Sequence, residues 1–103
     1  MTYHLLIRPE AEADLSAAYR WYEDRDAGLG EEFLRAVEAS LLGIQKNPQT
    51  FQKLHKEVRR ALTRRFPYGI FYLVENDTIV VLAVLHGRRN PAIINARSSS
   101  APR

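Results

Sequence analysis

Apolar positions along the chain follow two periods. From Pro9 to Asp24, Ala11, Leu15, Ala18, Tyr19 and Tyr22 recur every three or four residues, the signature of one amphipathic helix. Pro9 suits its first turn, where a backbone N–H has no helical partner. Glu10, Glu12 and Asp14 favour the positive end of the helix dipole. Asp26-Ala27-Gly28-Leu29-Gly30 interrupts the pattern and predicts a tight turn. Glu31 and Glu32 then open a second helix. Phe33, Val37, Leu41 and Ile44 form its stripe, with Leu34 beside it, and Lys46 and Asn47-Pro48 close it. Two helices joined this closely predict an antiparallel hairpin whose apolar faces require a partner surface.

That surface is predicted by segments rich in β-branched and aromatic residues. Tyr3 to Ile7 reads as a short first strand, and Val58 to Phe66 as an arginine-laden strand ended by Pro67. Tyr68 to Glu75 and Thr78 to His86 are separated only by Asn76-Asp77, a two-residue hairpin signal. The nearly unbroken apolar run from Ile79 to Leu85 marks a central strand. The expected fold is α+β, in the order β-α-α-β-β-β, with a helical hairpin packed on an antiparallel sheet. After Pro91 the pattern fades, and the final ARSSSAPR is too small and polar to bury much. Residues 1–95 are therefore expected to form one domain and residues 96–103 a flexible C-terminal tail.

Composition narrows the function classes. At 103 residues there is room for one domain. The absence of cysteine removes disulfides and thiolate metal sites, and fits a reducing cytoplasm. The N-terminal stretch turns charged too soon for a signal peptide or an anchor. No run approaches the roughly 20 apolar residues that cross a bilayer, so a cytoplasmic location and no membrane partner are expected. The charge is lopsided. Residues 10–38 carry nine acids and three bases, whereas residues 39–103 carry eleven bases and three acids. A basic half on a small domain points to an anionic partner, whether nucleic acid, ribosome or acidic protein.

Two groups of residues are candidates for chemistry. Arg59, Arg60, Arg64 and Arg65 lie close together, with Lys53 and Lys56 upstream. Strand alternation would place Arg60 and Arg64 on one face, and Arg59 and Arg65 on the other. Unpaired guanidinium groups cannot be buried on both faces, so some must lie at an edge, an open face or an interface. Their planar forks suit phosphate or carboxylate. The alternative is pairing with helix acids such as Glu10 or Asp14. The second group is His86-Gly87-Arg88-Arg89-Asn90-Pro91, at the end of the most apolar strand. His86 is a candidate for proton transfer, though a local hydrogen bond explains it more simply, and Arg88 and Arg89 are candidates for partner contact. His4, His55 and His86 lack metal-ligand spacing, and no phosphate loop or nucleophile elbow occurs, so neither metal nor cofactor is expected.

Four stretches in this order resemble the RelE/ParE superfamily of type II toxin–antitoxin toxins, also labelled plasmid-stabilisation proteins. They are Arg8-Pro9-Glu10-Ala11-Glu12-Ala13-Asp14-Leu15 with Trp21-Tyr22-Glu23; Gly28-Leu29-Gly30-Glu31-Glu32-Phe33 leading to Asn47-Pro48; Val58-Arg59-Arg60-Ala61-Leu62 with Arg65-Phe66-Pro67-Tyr68-Gly69-Ile70-Phe71-Tyr72; and Val81 to Pro91. The resemblance implies the same β-α-α-β-β-β fold and a cognate antitoxin that wraps and blocks the toxin, with operator DNA contacted only indirectly through that antitoxin. It implies one of two targets. RelE-like members cut mRNA in the ribosomal A site, and ParE-like members poison DNA gyrase without being nucleases. In RelE-like cleavage an arginine stands where this chain has Gly69, a second basic residue where it has Leu62, and a tyrosine where it has Asn95; Arg60 and Arg89 match basic positions. The expectation is a non-catalytic gyrase inhibitor. The alternatives are a ribosome-dependent mRNA endonuclease using Arg60, Arg64, His86 and Arg89, and an inactive toxin serving only antitoxin binding and autoregulation. The expected target- or phosphate-binding residues are Arg59, Arg60, Arg64, Arg65, Arg88 and Arg89.

Overall fold

The computed structural model describes residues 3–87 and 91–99, with no side-chain description for Pro91 and Ser99. The elements are β1 (His4–Ile7), α1 (Pro9–Arg25), α2 (Leu29–Lys46), a single 3-10 turn (Pro48–Thr50), β2 (Lys53–His55), β3 (Val58–Leu62), β4 (Tyr68–Glu75), β5 (Thr78–His86) and α3 (Pro91–Ser99). The strands form one sheet in the order β1-β5-β4-β3-β2. It is antiparallel from β2 to β5, and β1 joins β5 in parallel. The expected α+β class, a helical hairpin on a sheet, is the one found. Short β2 and α3 are additions to it.

The hairpin turn uses both of its glycines. Gly28 sits at φ 91°, a left-handed conformation that side chains resist. Gly30 lies so close to α1 that an added Cβ would come within 2.8 Å of the Tyr19 ring. The Glu23 carboxylate accepts the N–H groups of Gly28 and Gly30, each at 2.9 Å, so two orphan donors at the start of α2 are satisfied from α1. This places the helices for joint burial. Ala11, Ala18, Tyr22, Phe33, Val37 and Ile44 pack on Ala61, Ile70, Tyr72, Ile79, Val81 and Val84 of one sheet face. The rings of Tyr22, Phe33, Phe66 and Tyr68 interlock there, with centroid separations from 4.9 to 6.1 Å.

The arginine-bearing strand is shorter than the sequence predicts. It ends at Leu62, not Phe66. Thr63 still donates its backbone N–H to the Tyr68 carbonyl at 3.0 Å, and its hydroxyl bonds the carbonyls of Phe66 (2.8 Å) and Tyr68 (3.2 Å), closing a turn in which Arg65 adopts φ 71°. Arg64 and Arg65 therefore belong to a turn, and strand alternation does not govern them.

Of the expected flexible tail, residues 96–99 belong to helix α3, and residues 100–103 lie outside the described residues. Helix α3 continues through Ser99 and lays Ile94, buried, on the second sheet face beside Val58, Phe71, Val80, Leu82 and Leu85. Its anchor is polar. β1 pairs with β5 only as far as Ile7 and Val81, while β5 runs on to His86. Along this uncovered edge Asp14 Oδ2 accepts the Val84 N–H at 3.0 Å, and Arg97 Nη1 donates to the Leu82 carbonyl at 3.2 Å. The two side chains meet at 2.6 Å. A side-chain ion pair thus completes hydrogen bonding that a longer β1 would have supplied. The segment looked too polar to fold because its key residue is charged.

Asp14→Ala removes an acceptor shared by a strand N–H and a guanidinium, and is expected to cost about 2–3 kcal/mol. Arg97→Ala should cost less, because the carboxylate keeps the Val84 N–H. The double variant should cost less than the sum of the singles. Urea unfolding of the three variants checks this; simple additivity would show that the two side chains act independently.

Candidate functional site

The four arginines expected in pairs on the two faces of one strand are distributed among separate environments. Arg59 points toward the helices, where Nη1 donates to the carbonyls of Gln49 (3.1 Å) and Phe51 (2.6 Å) and Nη2 to Gln49 Oε1 (2.9 Å). It clamps the 3-10 turn to β3. Its cross-strand neighbour Tyr72 is fully buried and donates its hydroxyl to Pro48 O at 2.7 Å. Arg59 is thus structural, and its guanidinium is committed. Arg65 pairs with Glu32 of α2 at 2.8 Å on the surface. The idea that helix acids neutralise some arginines holds in kind, but the acid is Glu32. Glu10 pairs with Arg8, and Asp14 with Arg97.

Arg64 and Arg60 lie on opposite sides of the sheet. Arg64 lines a groove of about 740 Å³ between α2 and the end of β3. The groove is floored by Ala36, Ala39, Gly43, Phe51 and Ala61, bordered by Leu62, and rimmed by Arg35, Arg64 and the Arg65–Glu32 pair. Neither Arg35 nor Arg64 has an ion-pair partner among the described residues. Arg60 is on the second face, where its stem lies over Gly69. His86 is exposed at the end of β5, its ring 5.9 Å from that of Tyr68. Asn95 is tied to His55, Oδ1 to Nε2, at 2.8 Å. Arg88 and Arg89 lie outside the described residues. The set proposed for a nuclease, as far as described, is therefore not gathered around one point: Arg64 faces the groove and Arg60 the opposite face. Among the described residues no cluster of three His, Asp or Glu side chains is placed to hold a metal ion. Among the described residues no helix is long and apolar enough to cross a membrane.

The groove was missed from sequence because its helix wall consists of residues that carry no chemistry. The signal was nevertheless present: Ala36, Ala39, Ser40 and Gly43 recur at helical spacing, and small side chains there leave α2 concave beside the sheet.

A sequence profile described as the ParE toxin of the type II toxin–antitoxin system parDE matches residues 5–91. The chain belongs to the ParE toxin family. It is 31% identical over 100 residues to Toxin ParE2 of Mycobacterium tuberculosis, covering 96% of this chain and 95% of that one. Among solved structures, its fold resembles that of a chain from the chromosomal ParDE system of P. aeruginosa, with TM-score 0.74 and 19% identity over 82% of this chain and 96% of that one. A mutant of the E. coli toxin RelE in the free state is similar over 99% of this chain and 100% of that one, with TM-score 0.64 and 12% identity. A chain of the RelBE2 toxin–antitoxin complex of M. tuberculosis matches with TM-score 0.61 and 20% identity, over 84% and 99%. This ParE-family member is a type II toxin by family, and it shares its fold with chains of ParDE, RelBE2 and RelE structures.

Burial pushes the Tyr72 phenol up from 10 to about 12, with the Arg59 charge opposing the shift. The folded state thus favours the neutral phenol. Its contribution to stability is fully present below pH 10 and is lost as pH rises through about 12. In an alkaline titration followed by tyrosine absorbance, one phenol should ionise only as the fold opens. Tyr72→Phe should abolish that late step; its persistence would place it on another tyrosine.

Proposed function

We propose that this toxin arrests growth by binding and inhibiting DNA gyrase, without catalysing a reaction, and that a cognate antitoxin restrains it. The observation that carries the reading is the dispersal of the described basic residues. Positioning and protonating a scissile phosphodiester requires several groups converging on one point. Here Arg59 is a structural clamp, Arg65 is paired with Glu32, and Arg64 and Arg60 occupy opposite sides. Membership of the ParE family supports the same choice. Purified toxin should suppress gyrase supercoiling or trap cleaved DNA. Normal gyrase activity at high toxin excess, with new mRNA ends appearing in A-site codons, would replace the proposal with RNA cleavage. Absence of growth arrest on induction without antitoxin would leave only antitoxin binding.

The groove beside α2 is the proposed seat of the antitoxin. A ParDE system and a RelBE2 complex are among the related structures, so a protein partner is expected. The apolar floor suits the apolar face of an amphipathic segment, and Arg35 and Arg64 on the rim select one with acidic flanks. Charge reversal at both, Arg35→Glu with Arg64→Glu, should weaken antitoxin binding about tenfold or more in calorimetric titration. Unchanged affinity would remove the groove from the interface.

A further inference from the structure

We propose that Arg60, seated over Gly69, is the anchor by which this toxin grips a carboxylate on the surface of its protein target, and that Gly69 is its positioning residue. The inference rests on the reading that the toxin acts by binding. Arg60 shares the second face with Val58 and Leu62, and its backbone N–H is held by Gln52 O at 3.1 Å. Its cross-strand partner is Phe71, and Gly69 lies two pairs further along, on the same face and opposite Leu62. A Cβ on Gly69 would come within 3.0 Å of Arg60 Cδ, 3.1 Å of its Cγ and 3.3 Å of Phe71 Cε1. The missing side chain is thus a slot that the arginine stem fills.

That slot accounts for an otherwise costly choice. Glycine in a strand interior forfeits packing and adds backbone entropy, and Gly69 has no positive φ to justify it. What it permits is an arginine laid flat across β4, with its rotamers restricted before any partner arrives. The guanidinium has no hydrogen-bond or ion-pair partner among the described residues. Toward the described residues its five donors are therefore uncommitted, in a planar fork suited to a bidentate acceptor.

The surroundings favour a protein carboxylate over a nucleic-acid backbone. Phe71 is adjacent, and Leu62, 59% exposed, stands at the rim. An arginine bordered by apolar side chains matches the composition of protein interface hot spots. A phosphate track needs several cations in sequence. Among the described residues, Arg59 is committed elsewhere, Arg64 and Arg65 face the groove, and Lys56 lines a separate recess with Leu73 and Ser98.

The test compares wild type, Arg60→Ala, Arg60→Lys, Gly69→Ala and the double alanine variant. Growth arrest on induction without antitoxin and inhibition of supercoiling are both measured, with thermal melts to confirm folding. Arg60→Ala and Gly69→Ala should each raise the half-inhibitory dose about tenfold. Arg60→Lys should lie between, and the double variant should match Arg60→Ala, because Gly69 acts only through Arg60. In the free protein, Gly69→Ala should shift the Arg60 Nε–H resonance, which a general loss of stability would not do selectively. Full potency of either alanine variant, or additive losses in the double, overturns the proposal. Arg60-dependent binding of a labelled single-stranded RNA or duplex DNA reassigns the ligand to phosphate and overturns it too. Growth arrest with gyrase unaffected defeats the gyrase reading alone, since the dose series still decides the role of Arg60.

Discussion

A buried strand must have its backbone hydrogen bonds completed, and β5 is buried along nearly its whole length. It is flanked by β4 over its full extent but by β1 over only half. The remaining edge is closed by two side chains, Asp14 from α1 and Arg97 from α3. Much follows from this one constraint. Asp14 fixes the lateral position of α1 against the sheet, and through the Glu23 clasp on Gly28 and Gly30, that of α2. Arg97 draws α3 toward the same edge, so that Ile94 covers the second face. The two sides of the sheet are thereby coupled through an ion pair at its edge.

The desolvation cost of guanidinium explains where the other arginines end up. β3 is next to the sheet edge, and only one short strand lies beyond it. An arginine pointing to the helix side needs built-in acceptors, which Arg59 finds in the carbonyls of Gln49 and Phe51. One pointing to the second side needs a way to water, which Arg60 finds across Gly69. Once the chain turns after Thr63, Arg64 and Arg65 reach the rim of the α2 groove. A run that looks like one basic patch in sequence becomes a clamp, an exposed ion pair and two separate cations.

This also marks what was legible in advance. Long periodic segments were: α1 and α2 lie within two residues of the expected bounds, and the β4–β5 hairpin turns at Asn76-Asp77 as its residues require. Elements set by a few specific side-chain bonds were not. Strand alternation was extended past Leu62 because the hydroxyl bonds of Thr63 to the carbonyls three and five residues on leave no mark in the apolar pattern. The end of helix α3, from Ala96, was read as tail because Arg97 is informative only beside Asp14, 83 residues earlier. Gly69 was noticed for the side chain it lacks, whereas its role is to accommodate another residue's stem.

The two proposed surfaces are not independent. The groove and Arg60 open on opposite sides of β3, yet Leu62 belongs to both: it borders the groove, and it stands opposite Gly69 in the ladder. A segment that fills the groove and covers Leu62 reaches the rim of the arginine seat without having to traverse the sheet. Burial of an exposed leucine beside a charge also lowers the local dielectric, so the guanidinium would lose water without gaining a carboxylate unless the covering chain supplied one. An antitoxin seated in the groove can therefore oppose target binding in two ways. It can offer Arg60 its own acid, or it can leave the guanidinium desolvated and unpaired in any complex with the target. Both make the two partners compete through one leucine, and neither requires the toxin to change its fold.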